Sequence, residues 1–430
     1  MIKAAVILAG GQGTRMFKNG IYTPKFLLRI TDKTLAEHTL EALKTNGIED
    51  VYLFLGKNAD LIEPIAKEIC QDLLLNCVVY AEQNALGTGG SIINSLDLLP
   101  EEFLVLYGDL LINTDLSKIM NVFQNKNCDF AQMTHASSHV FDSDILSLNL
   151  SKQITSYHIK PHVESLVSRN RCNTGIYAFR RRIFRDFIGI KRAIDLDREI
   201  LPELVSTGKN GIGIVNTGYV KDIGTPNRFQ DAKKHFSNFV LGSSAKPTIF
   251  LDRDGTINYE RGHITSSEQI ALLPGASRSI LRLNQAGYRV LVVTNQPVIA
   301  RGEVSPEELD RIHATIDTEL AKVGAIIDEY YFCPHYPIDG FPGEITSLKI
   351  DCECRKPQKG LLELAAREFP TQKEKSWIIG DSWSDVKAGE NFGIRALKLR
   401  STKRQNEGYD YAMLSNAVDF LLKENEFDLE

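Results

Sequence analysis

The sequence predicts an α/β protein built from two doubly wound domains. Short apolar runs end abruptly in glycines or carboxylates. Ala4-Ala5-Val6-Ile7-Leu8 leads into Gly10-Gly11, Leu104-Val105-Leu106 into Gly108-Asp109, and Ile249-Phe250-Leu251 into Asp252-Arg253-Asp254-Gly255. Runs of this kind read as buried strands, and open α/β sheets bind ligands beyond the carboxyl ends of their strands. Amphipathic helix patterns lie between them, at 229–239, 278–286 and from Ser305 to about Val323. Leu241-Gly242-Ser243-Ser244-Ala245-Lys246-Pro247 is small, polar and Pro-terminated, which suits a linker. The expected domains are therefore 1–240 and 247–430.

Composition allows this and excludes little else. A chain of 430 residues has room for two or three domains. Its 43% hydrophobic and 24% charged content is ordinary for a globular protein. A net charge of -5 offers nothing to nucleic acid. No apolar run approaches the ~18 residues of a membrane span, and the N-terminus lacks a signal-peptide layout. Seven cysteines do not suggest a disulfide framework. The expected setting is the cytoplasm, with oligomerisation left open.

In the first domain, Leu8-Ala9-Gly10-Gly11-Gln12-Gly13-Thr14-Arg15 follows the first strand. Glycines there let backbone amides approach phosphates. Met16 occupies the place of a dinucleotide fold's third Gly, and no Gly-Lys-Ser/Thr follows. With Pro24-Lys25, the stretch resembles the signature of the sugar-1-phosphate nucleotidyltransferases, and further matches extend to about residue 235. The resemblance implies roles for each. Gly11, Gly13, Thr14 and Arg15 hold the triphosphate, and Lys25 sits on the transferring phosphate. Glu82 to Gly90, with Gln83, Gly87 and Thr88, holds the base. Asp109 and Asp222 bind Mg²⁺, a hard ion that prefers oxygen ligands. Asn173 and Lys160 contact the sugar, and Asp197 to Pro202 forms a helix after the sugar-contacting strand. Ile159 departs from the family pattern, which has Glu before Lys-Pro. Asn149 to Gln153 reads as a hairpin turn feeding that strand.

In the second domain, two carboxylates two residues apart, Asp252 and Asp254, can split phosphoryl transfer, one attacking phosphorus and the other moving a proton. Gly255 lets the backbone turn behind them. Tyr259 to Leu273 reads as loop, with His263 as a surface histidine or, alternatively, a substrate contact. Thr294-Asn295-Gln296 ends a buried strand and offers a hydroxyl and amides to a phosphate oxygen. Ser305-Pro306-Glu307-Glu308 combines an N-cap, a Pro at the first helical position and a capping-box Glu. Cys333-x-His335 and Cys352-x-Cys354 supply three thiolates and an imidazole, a closed tetrahedral zinc set of structural type. Its expected task is to pin the loop carrying Arg355 and Lys356. The other cysteines, 70, 77, 128 and 172, read as core.

Residues 247–400 resemble the small zinc-containing phosphatases of the haloacid dehalogenase superfamily, heptose 1,7-bisphosphate and histidinol-phosphate phosphatases among them. The resemblance implies a fold without a large cap. It places Lys356 on the phosphate of an aspartyl intermediate, and Arg301 and Arg355 against substrate. Asp381 joins Asp252 and the Asp254 carbonyl around Mg²⁺, and Asp385 braces the loop or a metal-bound water. Pro297-Val298 departs from the usual Ser-Gly. The final ~30 residues hold one helix-like stretch, 416–423.

Together the halves imply a bifunctional enzyme. One half removes the 7-phosphate of D-glycero-D-manno-heptose 1,7-bisphosphate, and the other transfers GMP from GTP to the heptose 1-phosphate. Alternatives are another sugar phosphate or nucleotide, or a phosphatase carrying a regulatory nucleotide- or sugar-binding module.

Overall fold

The computed structural model describes residues 2–11, 23–162, 166–237, 245–400 and 413–427. The chain forms two compact units. One comprises Met1–His135, Leu146–Ile159 and Asn173–Ser244, the other Ala136–Ile145, Lys160–Cys172 and Ala245–Glu430.

The strands of the first half are β1 (Ala4–Ala9), β2 (Asp50–Leu55), β3 (Asn76–Ala81), β4 (Glu102–Tyr107), β5 (Leu110–Asn113) and β6 (Phe130–His135). They continue with β7 (Ile145–Leu148), β8 (Ile154–His158), β9 (Cys172–Arg180), β10 (Gly211–Val215) and β11 (Tyr219–Asp222). The main sheet runs β10-β6-β9-β4-β1-β2-β3, with β7 and β8 beside it, and β5 pairs with β11. β1 is parallel to β2 and β4, while β9 is antiparallel to β4, so the sheet is mixed. Alternation decides where each side chain goes. Ala5 and Ile7 join Leu53, Leu55, Leu104 and Leu106 in one core. Ala4, Val6 and Leu8 face the other, with Phe54, Phe103, Val105 and Tyr177. Both faces are covered, which is why β1 reads as an uninterrupted apolar run. The hairpin turn at 149–153 is present, with Lys152 at φ 66° between β7 and β8. The stretch Asp197 to Pro202 begins as a π-helical turn, Leu196–Ile200, before the helix Leu201–Ser206. The helix Pro226–Ser237 starts earlier than its apolar pattern.

The second unit has β12 (Thr248–Leu251), β13 (Arg289–Asn295), β14 (Glu329–Cys333), β15 (Trp377–Gly380) and β16 (Arg395–Lys398). They form an all-parallel sheet in the order β14-β13-β12-β15-β16. Ile249, Leu251, Val290, Val292 and Ile379 point into one core. The helix Leu414–Phe427 supplies Leu414, Ala417, Val418 and Leu421 to that core, more than its charged sequence suggests. The helix Ala276–Gln285 begins two residues before its expected start. The helix Pro306–Ala321 has only half of the expected capping box. Ser305 Oγ accepts from the Glu308 amide at 3.1 Å, but the Glu308 carboxylate accepts from the Ser267 amide at 3.3 Å instead. Among the described residues no helix is long and apolar enough to cross a membrane.

Candidate active sites

In the first unit the site lies beyond the ends of β1 and β2. A cavity of about 270 Å³ is lined by Gly11, Gln83, Gly87 and Thr88, all expected from sequence, and by Gly10, Phe54, Lys57 and Ser91, which were not. Gly13, Thr14 and Arg15 lie outside the described residues. Gly87 sits at φ +77°, and a Cβ there would come 2.5 Å from the Ile194 carbonyl oxygen. Only glycine meets both demands. Thr88 Oγ1 accepts from the Leu196 amide at 2.9 Å, so this hydroxyl also anchors the π-helical turn. Glu82 is the cavity's carboxylate and accepts from the Ser91 hydroxyl.

Lys25 and Asp109, 84 residues apart, meet in an ion pair of 2.8 Å. β5 and β11 pair so that Asp222 stands opposite Leu110, and the Ile223 amide donates to the Asp109 carbonyl. Asp109 and Asp222 thus flank one short ladder. Asp222 accepts from Arg228 at 2.7 Å, a partner that sequence reading missed. Asn173 binds the Tyr177 hydroxyl at 2.7 Å. Tyr177 and Tyr107 both donate to Asp197. Burial first, then the Asp197 charge, raises both phenols, so they stay protonated donors. Lys160 falls with the second unit, its ammonium 3.2 Å from Asp142.

In the second unit a cavity of about 260 Å³ opens at the carboxyl ends of β12, β13 and β15. It is lined by Asp252, Asp254, Thr294, Asn295, Gln296, Arg355, Lys356 and Asp381. His263, expected on the surface, lines it too, with Glu260 and Ser384. Asp252 follows β12, and its Oδ1 lies 3.0 Å from Lys356 Nζ. That ammonium also pairs with Asp385 and donates to the Val293 carbonyl at 2.7 Å. Burial opposes its charge, but the two carboxylates raise its pKa, so it stays cationic. Burial pushes Asp252 up to about 7, opposed by Lys356 and reinforced by Asp385, Asp381 and Asp254. Burial and Asp385 push Asp381 up to about 6.

Asp254 is held from two sides. Arg253, fully buried, forks onto it at 3.0 and 2.7 Å. Asn258 and Gln296 each donate at 2.9 Å. Burial would raise this carboxyl, but Arg253 and these bonds hold it below its ordinary value. Asn295, expected on substrate, spends its amide on the backbone of Lys356, donating and accepting at 3.0 Å. Gln296 is likewise committed, to Asp254, Thr294 and Arg253. Arg301 is buried between Tyr336 and Phe341, 4.3 and 4.4 Å from their ring centres, and touches His263. Arg355 lines the cavity and donates to the His335 carbonyl at 3.1 Å.

Two donor sets fit metal ions. The carboxylates of Asp252, Asp381 and Asp385 converge, with one oxygen of each within 4.8 Å of the others. An all-oxygen anionic set suits Mg²⁺. Asp385, expected only as a brace, belongs to this cluster and also closes a capping box with Ser382. The Asp254 carboxylate does not belong to it. Gly255 makes the convergence possible: at φ +74°, a Cβ there would lie 2.2 Å from Asp381 Oδ2. Cys333, His335, Cys352 and Cys354 form the second set, with ligand atoms within 4.8 Å of one another. Cys354 Sγ lies 3.2 Å from Cys333 Sγ, 3.3 Å from Cys352 Sγ and 3.2 Å from His335 Nδ1. These edges are shorter than the ~3.8 Å edges of a tetrahedron with Zn–S bonds of about 2.3 Å, so a zinc ion would spread the set slightly. All these cysteines are free of disulfides.

Comparison with known proteins agrees with this division. The Nucleotidyl transferase family model matches residues 4–238, and the HAD-hydrolase-like model residues 353–415. D-glycero-β-D-manno-heptose-1,7-bisphosphate 7-phosphatase of Rhodopseudomonas palustris is 39% identical over 154 residues, 36% of this chain and 83% of that protein. The D-glycero-α-D-manno-heptose-1,7-bisphosphate 7-phosphatase of Photorhabdus laumondii is 33% identical over 168 residues, covering 39% of this chain and 90% of its own. A Bacillus anthracis structure assigned as a glucose-1-phosphate thymidylyltransferase shares the fold of the first unit, with a TM-score of 0.50 and 19% identity over 57% of this chain and 98% of that one. The chain is a nucleotidyltransferase joined to a phosphatase, and it belongs to the nucleotidyl transferase family through its first half and to the haloacid dehalogenase-like heptose-bisphosphate phosphatases through its second.

Proposed function

We propose that the second unit hydrolyses the 7-phosphate of D-glycero-D-manno-heptose 1,7-bisphosphate, and that the first transfers GMP from GTP to the heptose 1-phosphate so formed. Products are phosphate, GDP-heptose and pyrophosphate. The observation that carries the first step is the buried contact of Asp252 with Lys356, inside a chain half related to enzymes named for that bisphosphate. Asp252 attacks phosphorus, the bond to the sugar oxygen breaks, and Lys356 offsets the phosphoryl charge. Asp254 gives a proton to the leaving oxygen and later takes one from the water that hydrolyses the aspartyl phosphate. Its four bonds in this structure favour the carboxylate, so the acid half of that cycle requires Asp254 to leave the Arg253 fork. Mg²⁺ held by Asp252, Asp381, Asp385 and the Asp254 carbonyl would neutralise phosphate charge. Arg355 lies where it can read the remainder of the substrate. Zinc on the Cys/His set would fix the turn between Cys354 and Lys356.

In the first unit the same reading gives Lys25 the transferring phosphate, and Asp109 and Asp222 a Mg²⁺ that screens the triphosphate. Gln83, Gly87 and Thr88 border the base, Asn173 the sugar, and Gly11 to Arg15 the phosphates. Support for heptose here is the fusion itself: one half would make a sugar 1-phosphate and the other consume one, while guanine is the part of the reading that the triphosphate panel decides. The test is incubation of the purified chain with either anomer of the bisphosphate and each nucleoside triphosphate, with products followed by mass. GDP-heptose formation is expected. Release of phosphate without any nucleotide sugar would support a regulatory first unit, and turnover of another sugar bisphosphate in preference would replace the heptose.

A further inference from the structure

Residues 160–172 lie inside the stretch that matches the nucleotidyl transferase family, yet they fold as part of the second unit. Charge holds them there. Arg169 reaches Asp317 with Nε at 2.9 Å, Asp310 with Nη1 at 2.7 Å and Glu329 with Nη2 at 3.1 Å. Its guanidinium lies 4.5 Å over the Tyr330 ring. Tyr330 donates to Asp317 Oδ1 at 2.7 Å, and the Asn170 amide to Asp317 Oδ2 at 3.1 Å. Arg171 adds a second guanidinium to Glu329 at 2.6 Å.

These partners come from two elements. Asp310 and Asp317 lie on the helix Pro306–Ala321, and Glu329 and Tyr330 begin β14. One side chain therefore cross-links the helix to the strand, at a place where Asp317 and Glu329 are buried. Both elements lead toward the phosphatase site. β14 ends in Cys333, whose register partner on β13 is Asn295. The helix carries His313, buried and stacked on Tyr330 at 4.4 Å. Among the described residues His313 Nε2 has no hydrogen-bond partner, and neither does Nη1 of Arg253, the residue that grips Asp254. Burial, then the charges of Arg253 and Arg169, lower the His313 pKa, so this ring is neutral.

We propose that Arg169 is a positioning residue of the phosphatase, setting the helix Pro306–Ala321 against β14 and through them the surroundings of Arg253 and Asn295. The role rests on reading the second unit as a phosphatase. Without the guanidinium, Asp310, Asp317 and Glu329 are three carboxylates in close company, with Arg171 left for Glu329 alone. Buried charges stripped of their partner repel and rehydrate, and the elements carrying them separate.

The test uses the full chain. Arg169→Met should lower kcat for phosphate release at least tenfold with KM within twofold, on the heptose bisphosphate and on p-nitrophenyl phosphate alike. Nucleotide transfer to a supplied sugar 1-phosphate should continue. Arg169→Lys keeps the charge but loses the fork and the flat stack, so its kcat should fall between the two. The double variant Arg169→Met with Asp317→Asn should be no worse than Arg169→Met alone, the non-additivity expected of partners. Hydrogen exchange should quicken at 310–317 and 329–333. Wild-type kcat in Arg169→Met overturns the proposal, as does a change confined to KM. If Arg169→Met fails to fold, a folded Arg169→Lys with wild-type kcat overturns it. If the wild type ignores the heptose bisphosphate but hydrolyses the aryl phosphate, the substrate reading falls and this proposal is decided on the aryl phosphate. With neither turned over, unchanged exchange in Arg169→Met overturns it.

Discussion

Lys356, the cation paired with Asp252 in the second unit, has a side chain 1% exposed, whereas Lys25 of the first unit keeps 17% and its partner Asp109 keeps 29%. Asp222 is more open still, at 38%. Lys356 is wrapped by Asp252, Asp385 and the Val293 carbonyl, and its backbone by Asn295. Among the described residues Lys25 has one ion pair. A charge in a dry, cross-braced site acts through a low dielectric and needs little reorganisation. A half-solvated charge is screened and relies on its ligand to complete it. The difference suits the two reactions. A phosphatase must strip water from a covalent intermediate until the right moment, while a nucleotidyltransferase admits a triphosphate that brings its own charge and counterions.

The contrast can be broken most forcefully at Asp252. Asp252→Asn removes the nucleophile, and phosphate release should fall by about three orders of magnitude or more. Nucleotide transfer from supplied sugar 1-phosphate should persist, as measured by pyrophosphate release. Loss of both activities in a folded variant would show that the sites are not separate. Given only the bisphosphate and GTP, the same variant should make almost no nucleotide sugar. A second phosphate would put an unpaired dianion where a hydroxyl belongs, at a cost of several kcal/mol.

Cys354→Ser tests what stabilises the dry site. Elemental analysis should find about one zinc per chain in the native protein and much less in the variant. Displacing the Arg355–Lys356 turn by even ~1 Å is expected to slow phosphate release on the order of a hundredfold. The melting temperature of the second unit should drop as well. Carefully purified native protein free of zinc would remove this account.

At the open site the expected effect is smaller. Asp109→Asn should slow nucleotide transfer roughly ten- to a hundredfold, ~1.4–2.7 kcal/mol in barrier. Phosphate release should not change. A parallel fall in both rates would mean that the two halves do not work independently.

The smallest change sharpens the comparison most. Asn295→Ala deletes two hydrogen bonds to the Lys356 backbone. At about 0.5–1.5 kcal/mol each, they should slow phosphate release by about tenfold while leaving KM nearly unchanged. A rise in KM at constant kcat would instead return Asn295 to direct substrate contact.

Much of the architecture was legible because its causes are local. The apolar runs at 4–8, 104–106 and 249–251 are strands because both sheet faces are covered, and a continuous apolar run states that directly. The Cys/His set announced itself by spacing, since ligands two residues apart at a strand end and in a tight turn converge with little help. Asp252 and Asp381, just past β12 and β15, and Thr294, near the end of β13, reach one cavity because parallel strands present their carboxyl ends together. What sequence could not assign was the division of labour among neighbours. Asn295 and Gln296 look like substrate ligands, but they brace Lys356 and Asp254. Arg301 reads as a substrate contact, but two aromatic rings bury it. Asp385 sits among the converging carboxylates, and Lys160–Cys172 belongs to the second unit. Each of these depends on partners tens to more than a hundred residues distant, as in the 148-residue separation between Arg169 and Asp317. Periodicity and spacing carry short-range physics; which polar atom meets which buried charge is decided only when the sheet brings distant segments together and burial makes an unpaired group too costly to leave.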